Sequence, residues 1–188
     1  MTESKILKYV YKYACACNVP DCMGEEEFEN KLINIWFSQL NGSSLFHHAY
    51  IGDIRSGNRC SGLHSWISLY EKFRSKELLI DNVVFHHGLS TDDSRLITVK
   101  FQFIDNNKQP LAAHKDSTFL LGFSLEMEFS MFTLGALVGE RKTAFKFNFK
   151  QHSILVQRHV SEVRNISSLY FAPAPPSPRR RSAHRTAN

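Results

Sequence analysis

Residues 96–107, LITVKFQFIDNN, decide the fold class of this chain. Apolar and polar residues alternate from Ile97 to Phe103, and a period of two is typical of a strand with one buried face. The run Asp105-Asn106-Asn107 then indicates a turn. We therefore predict a strand over residues 96–104 that leads into a hairpin.

The residues before this strand alternate between helical and extended patterns. Apolar residues from Phe28 to Leu40 recur every three or four positions behind an acidic first turn, which predicts a helix ending near Asn41-Gly42. Residues 45–54 predict a strand, and residues from Ser61 to Tyr70 predict a second helix with His64 in its first turn. Residues 78–86 predict a further strand.

The residues after the hairpin complete an α+β pattern. We predict a strand over residues 118–123, a helix over 125–138, and two strands over 144–150 and 154–160. Consecutive strands joined by short turns favour antiparallel pairing, so the predicted class is α+β with mostly antiparallel sheets and packed helices.

The length of 188 residues fits one compact domain. We assign residues 25–166 to this domain and residues 1–24 to an N-terminal segment, interpreted as a truncated helical region. Residues 167–188 are rich in proline and arginine, and such a composition buries too little apolar surface to fold. They are therefore predicted to form a disordered tail.

The net charge of +5 comes mainly from this tail. Without Arg179, Arg180, Arg181 and Arg185, the 23 basic residues fall to 19 against 18 acidic ones, a net charge of +1. Whole-chain charge is therefore poor evidence for nucleic-acid binding, which would require local segregation of charge.

The sequence also bears on location and metal binding. It has no apolar run near the 18 residues that a membrane helix needs, and lysines interrupt the N-terminal segment where a signal peptide would be apolar. We expect an intracellular monomer, cytoplasmic or nuclear, without a membrane partner. Cys15, Cys17 and Cys22 resemble half of a zinc site but lack a second pair at ligand spacing, so free thiols are the preferred interpretation.

Two histidine motifs and three other blocks carry a family resemblance. LFHHAYIGDI (45–54) and SGLHSWISLYEKF (61–73) resemble the paired motifs G-F-E-H-V-F-V-G-E and T-G-F-H-N-W-I of the EndoU, or XendoU, endoribonucleases. EFENKLINIWF (27–37), STFLLGFSLEMEF (117–129) and ILVQRHV (154–160) resemble three further blocks of that family in the same order. The resemblance thus extends over residues 27–160.

The resemblance implies a set of site residues. It makes His48 and His64 the catalytic histidines, with His47 and Asp53 in place of two family glutamates. Aligning the family's catalytic lysine backwards from Ser117 gives Lys115, and aligning it forwards from Phe103 gives Lys108. The hairpin between them has extra residues, and a hairpin accepts these most easily at its turn, which preserves the spacing before Ser117 and favours Lys115. The implied substrate contacts are Ser117, Ser124, which could instead cap the following helix, and His159, which stands where the family has a tyrosine.

These residue types suit RNA cleavage. Attack of the 2′-hydroxyl on the adjacent phosphate needs a base for that hydroxyl, an acid for the leaving 5′-oxygen and a cation for the phosphorane. Two histidines and a lysine supply these functions, and the product is a 2′,3′-cyclic phosphate that DNA cannot form. The resemblance implies single-stranded, U-containing RNA as the substrate and manganese as a cofactor; Asp53 and the pair Glu126 and Glu128 are candidate oxygen ligands.

Two other functions stay open at this point. The replacement of glutamate by His47 and of tyrosine by His159 would also fit a catalytically impaired relative that binds RNA. The cysteine cluster together with a histidine would instead fit a zinc-dependent interaction module.

Overall fold

The computed structural model describes residues 4–40, 42–55, 59–86, 95–113, 116–138, 144–149, 152–160 and 166–173. Its helices are α1 (Lys5–Ala16), α2 (Glu25–Phe37), α3 (Trp66–Arg74), α4 (Leu125–Val138) and a π-helix over His47–Ile51. Its strands are β1 (Gln39–Leu40), β2 (Ser43–Ser44), β3 (Asp53–Arg55), β4 (Arg59–Ser61), β5 (Leu78–Phe85), β6 (Arg95–Ile104), β7 (Pro110–Ala113), β8 (Ser117–Leu121), β9 (Ala144–Phe149), β10 (His152–Val160) and β11 (Ile166–Pro173).

The strands form two main sheets. The larger has the order β3-β4-β7-β6-β5, with β8 paired to β6, and the smaller has the order β11-β10-β9. All pairs are antiparallel except β4 with β7. The predicted α+β class with mostly antiparallel sheets is therefore confirmed.

The helix α4 joins the smaller sheet to the N-terminal helices. Its Phe132 stacks on Phe171 of β11 with ring centroids 4.6 Å apart, and its Leu137 packs in a cluster with Val10 of α1 and Phe28 of α2. A helix that is apolar on all sides is buried, and α4 is covered by other elements along most of its length. No helix among the described residues is long and apolar enough to cross a membrane.

The prediction of a strand over residues 45–54 is wrong. His47–Ile51 instead form a π-helical turn, closed by the Gly52 amide donating to the His47 carbonyl oxygen at 2.9 Å. Leu45, Ala49 and Tyr50 are buried together against the core, and their spacing fits a helical turn better than an alternating strand. Only the end of the segment, from Asp53, is extended.

Two predicted boundaries also need correction. Helix α3 begins at Trp66, so His64 lies before it rather than in its first turn. Residues 167–173 were predicted to belong to the disordered tail but lie in β11, because Leu169 and Phe171 are fully buried in the core. The rest of the predicted tail, residues 174–188, lies outside the described residues.

Candidate active site

The segments that carry His48 and His64 are joined through their backbones. The Leu63 amide donates to the His48 carbonyl oxygen at 2.8 Å, and the His64 amide donates to the Ala49 carbonyl oxygen at 2.6 Å. Gly62 permits this approach, because it has a φ of +79° and an added Cβ would lie 2.0 Å from the His48 oxygen. The two imidazole ring centroids are consequently 5.4 Å apart.

The ring of His48 is fixed by Asp53. His48 Nδ1 donates to Asp53 Oδ2 at 2.6 Å, which leaves Nε2 as the unprotonated nitrogen of the neutral ring. Asp53 Oδ1 accepts hydrogen bonds from Ser43 Oγ at 2.7 Å and from His47 Nδ1 at 2.9 Å. Burial raises the pKa of Asp53, but the hydrogen bonds from His48, Ser43 and His47 outweigh burial and hold that pKa below its usual range.

The ring of His64 is fixed by Ser117. The Ser117 hydroxyl donates its proton to the Leu63 carbonyl oxygen at 3.0 Å, so it accepts from His64 Nδ1, which lies 2.8 Å away. His64 therefore also carries its Nδ1 proton inward and presents Nε2 to the site. Both histidines thus direct Nδ1 inward and Nε2 towards the site. They differ in the group that binds Nδ1, which is a carboxylate for His48 and a hydroxyl for His64.

Both Nε2 atoms meet at one side chain on β11. Ser168 Oγ lies 3.1 Å from His48 Nε2 and 3.3 Å from His64 Nε2. Tyr170, two residues further along the same strand, has its ring centroid 5.5 Å from that of His64 and 5.6 Å from that of His159, on which it stacks. Sequence analysis missed Ser168 and Tyr170 because it placed them in the tail.

A buried carboxyl group supports the start of α3, directly after His64. Glu128 of α4 is fully buried, and its Oε2 accepts from the Trp66 amide at 3.4 Å. The Trp66 indole also donates to the Phe123 carbonyl oxygen at 2.8 Å, just before α4. Burial raises the pKa of Glu128 to about 7, and the nearby Ser65 hydroxyl and Trp66 amide offset only part of this rise.

The chain matches the family model described as "Endoribonuclease XendoU" over residues 1–171. It belongs to the XendoU family. Its curated relatives include the poly(U)-specific endoribonuclease-A of Xenopus laevis, 26% identical over 84% of this chain and 56% of the relative. Another is the uridylate-specific endoribonuclease B of Danio rerio, 28% identical over 78% of this chain and 52% of the relative. The predicted family is thereby confirmed.

A solved structure agrees with this assignment at the level of the fold. It is titled as the structure of XendoU, a splicing-independent, snoRNA-processing endoribonuclease, and it matches with a TM-score of 0.65 and 23% identity. The match covers 92% of this chain and 65% of that one. The chain thus spans about half the length of the curated XendoU relatives given above and about two thirds of the solved structure.

The other predicted site residues have different positions in this XendoU member. Ser117 contacts His64 as described, and His159 reaches the site through Tyr170, whose hydroxyl lies 3.1 Å from His159 Nε2. Ser124 Oγ accepts from the Met127 amide at 3.2 Å and so caps α4, the alternative role foreseen for it. Lys108 lies in the turn between β6 and β7 with a φ of +62°, and Lys115 lies outside the described residues.

The described residues do not form the metal sites considered from the sequence. No three His, Cys, Asp or Glu side chains among them converge as metal ligands. Both oxygens of Asp53 are engaged by imidazoles, Glu128 is buried against α3, and Glu126 accepts a hydrogen bond from Ser4. The Cys15 thiol donates to the Cys22 carbonyl oxygen at 2.9 Å. These side chains are of types that manganese or zinc can bind, but their arrangement among the described residues does not fit either metal.

Proposed function

We propose that this chain is an endoribonuclease that cleaves single-stranded RNA at uridylates and leaves a 2′,3′-cyclic phosphate. The observation that carries the proposal is the convergence of His48 Nε2 and His64 Nε2 on Ser168 Oγ. The names of the relatives, which are poly(U)- or uridylate-specific endoribonucleases, support the same reaction.

The hydrogen bonds around Ser168 allow it to link one protonated and one neutral histidine. With both rings neutral, two unprotonated Nε2 atoms face a hydroxyl that has only one proton to donate. With one ring protonated, that ring donates to Ser168 Oγ, and Ser168 donates to the other ring. In that second arrangement Ser168 links one acid to one base, which is the state that the reaction requires.

The reaction then follows from these two groups. One imidazole removes the proton of the 2′-hydroxyl, and the 2′-oxygen forms a bond to phosphorus. The bond between phosphorus and the 5′-oxygen breaks, and the other imidazole gives its proton to that oxygen. The RNA strand displaces Ser168 from at least one Nε2 atom during this exchange.

The groups that bind the two Nδ1 atoms favour His48 as the base. The Asp53 carboxylate stabilises the positive charge that His48 gains when it accepts a proton. His64 Nδ1 contacts the uncharged Ser117 hydroxyl, which stabilises a positive charge less than a carboxylate does. His64 is accordingly the proposed acid.

A lysine and an aromatic ring complete the proposal. Ser117 pairs with Val99 on β6. Lys108 lies beyond the end of that strand at Ile104, which is roughly 16 Å from Val99 along the strand. Lys115 precedes Ser117 by two residues and is therefore the proposed cation for the phosphorane. Tyr170, beside His64, offers a face on which the uracil can stack.

The test uses an end-labelled RNA with a single uridine and the same strand with 2′-deoxyuridine at that position. Wild type should cut only the ribose strand and leave a cyclic phosphate, with and without added manganese. His48→Ala and His64→Ala should each lose at least roughly a hundredfold in rate. His86→Ala is the matched control, because the Nε2 atom of His86 contacts Thr98 and not the residues of the site.

Two results would overturn the proposal. Cleavage of the deoxyuridine strand would exclude attack by the 2′-hydroxyl. Binding of the RNA without any turnover by wild type would favour the impaired, RNA-binding relative instead.

A further inference from the structure

One carboxylate in the site serves two imidazoles. Asp53 Oδ2 accepts from His48 Nδ1 at 2.6 Å, and Asp53 Oδ1 accepts from His47 Nδ1 at 2.9 Å. The side chain of Asp53 is 9% exposed, whereas that of His47 is 51% exposed. His47 therefore connects the buried pair to the solvent.

The π-helix is responsible for this sharing. Adjacent residues of a strand point to opposite faces, so His47 and His48 could not both reach Asp53 from the strand that the sequence predicts. The π-helical turn over His47–Ile51 and the return of the chain at Gly52 bring Asp53 beneath both rings. In the EndoU motif that this segment resembles, a glutamate stands at the position of His47.

We propose that His47 is a positioning residue that sets the lower pH limit of cleavage by competing with His48 for Asp53, an inference that rests on the proposed function. When His47 is protonated, it draws the Asp53 carboxylate towards itself. The charge of protonated His48 then has weaker support, and His48 releases its proton more readily. The base consequently stays usable at a lower pH than it would beside a neutral or acidic residue.

Among the described side chains, the other groups around Asp53 do not provide this response. Burial, with the nearby Asp53 charge, raises the pKa of the Cys60 thiol to about 12, so it stays neutral. Strand β2 contributes the serines Ser43 and Ser44, and β11 contributes Ser168 beside His48. The remaining titratable neighbours, His64 and Tyr170, lie on the far side of His48 among the described residues.

The test varies the charge at position 47. The pH–rate profile of RNA cleavage is measured from pH 5 to 8.5 for wild type, His47→Gln and His47→Glu. The midpoint of the acid limb should rise in that order, by about half a pH unit to one pH unit per step for a half-exposed charge. His86→Gln is the control and should match wild type.

A second readout does not depend on turnover. The titration of the His48 ring is followed by NMR of the imidazole nitrogens, assigned with His48→Ala, in the same three proteins. The same order of midpoints is expected whether or not the protein cleaves RNA, so failure of the proposed function and failure of this inference can be told apart. Equal His48 midpoints in the three proteins, or the reverse order, would overturn the role of His47.

Discussion

Replacing Glu128 by glutamine should change how stability depends on pH. Glu128 is fully buried, and its pKa rises from the ordinary 4.5 to about 7. Between these two pH values the folded protein holds a proton that the unfolded chain has released. The free energy of unfolding therefore falls as pH rises through this window, and it levels off above about pH 7.

The size of the effect follows from the rise in pKa. Each pH unit corresponds to about 1.4 kcal/mol, so the rise costs the wild type roughly 3 kcal/mol of stability above pH 7. Glutamine has nearly the same shape, and its carbonyl oxygen can accept from the Trp66 amide as Glu128 does. Because glutamine does not ionise, the variant should equal wild type near pH 4.5 and exceed it by about 3 kcal/mol at pH 8.

Urea unfolding at pH 5 and pH 8, followed by the fluorescence of Trp36 and Trp66, measures this difference. The same substitution at Glu126, an exposed position on the same turn of α4, serves as the control and should leave the pH dependence unchanged. If Glu128→Gln and wild type differ by the same amount at both pH values, Glu128 does not titrate in this window and the reasoning from burial is refuted.

Three further substitutions test the geometry of the site. Gly62→Ala should cost roughly 2–5 kcal/mol in urea unfolding, because its Cβ would lie 2.0 Å from the His48 oxygen; Gly42→Ala, with a φ of +83° and open space, should cost only about 1 kcal/mol, and equal losses would contradict the close approach. Ser168→Ala should lower the single-turnover rate roughly tenfold to a hundredfold, whereas Ser167→Ala, whose hydroxyl faces the His159 carbonyl oxygen, should not. Tyr170→Ala should raise KM roughly tenfold by removing a stacking face worth ~1–3 kcal/mol, while Tyr170→Phe should stay near wild type; a similar KM for both variants would argue against stacking.

The elements with a sustained periodic pattern could be predicted from the sequence. The helix predicted over residues 125–138 is α4 with the same bounds, since fourteen residues without proline lie between Ser124 and Gly139 in the sequence. Strands β5 and β6 also lie where alternation and the turn at Asp105 indicate them. Local side-chain patterns are therefore sufficient to predict an element that is long and regular.

Residues 45–54 and 166–173 could not be predicted in the same way. A π-helical turn of five residues is too short for its helical spacing to outweigh composition, and its aromatic and branched residues favour a strand. Strand β11 precedes a proline-rich segment, so average composition hid the alternation of buried Leu169 and Phe171 with Ser168 and Tyr170. The family motifs indicated both histidines, but only the fold brings Ser168 to them.

The contact of Ser168 with His48 joins residues 120 positions apart, and its contact with His64 joins residues 104 positions apart. Because contacts so distant along the chain are slow to form, a partly folded molecule carries both histidines before Ser168 reaches them. If the proposed activity depends on this contact, it would appear only after β11 has been synthesised and paired with β10.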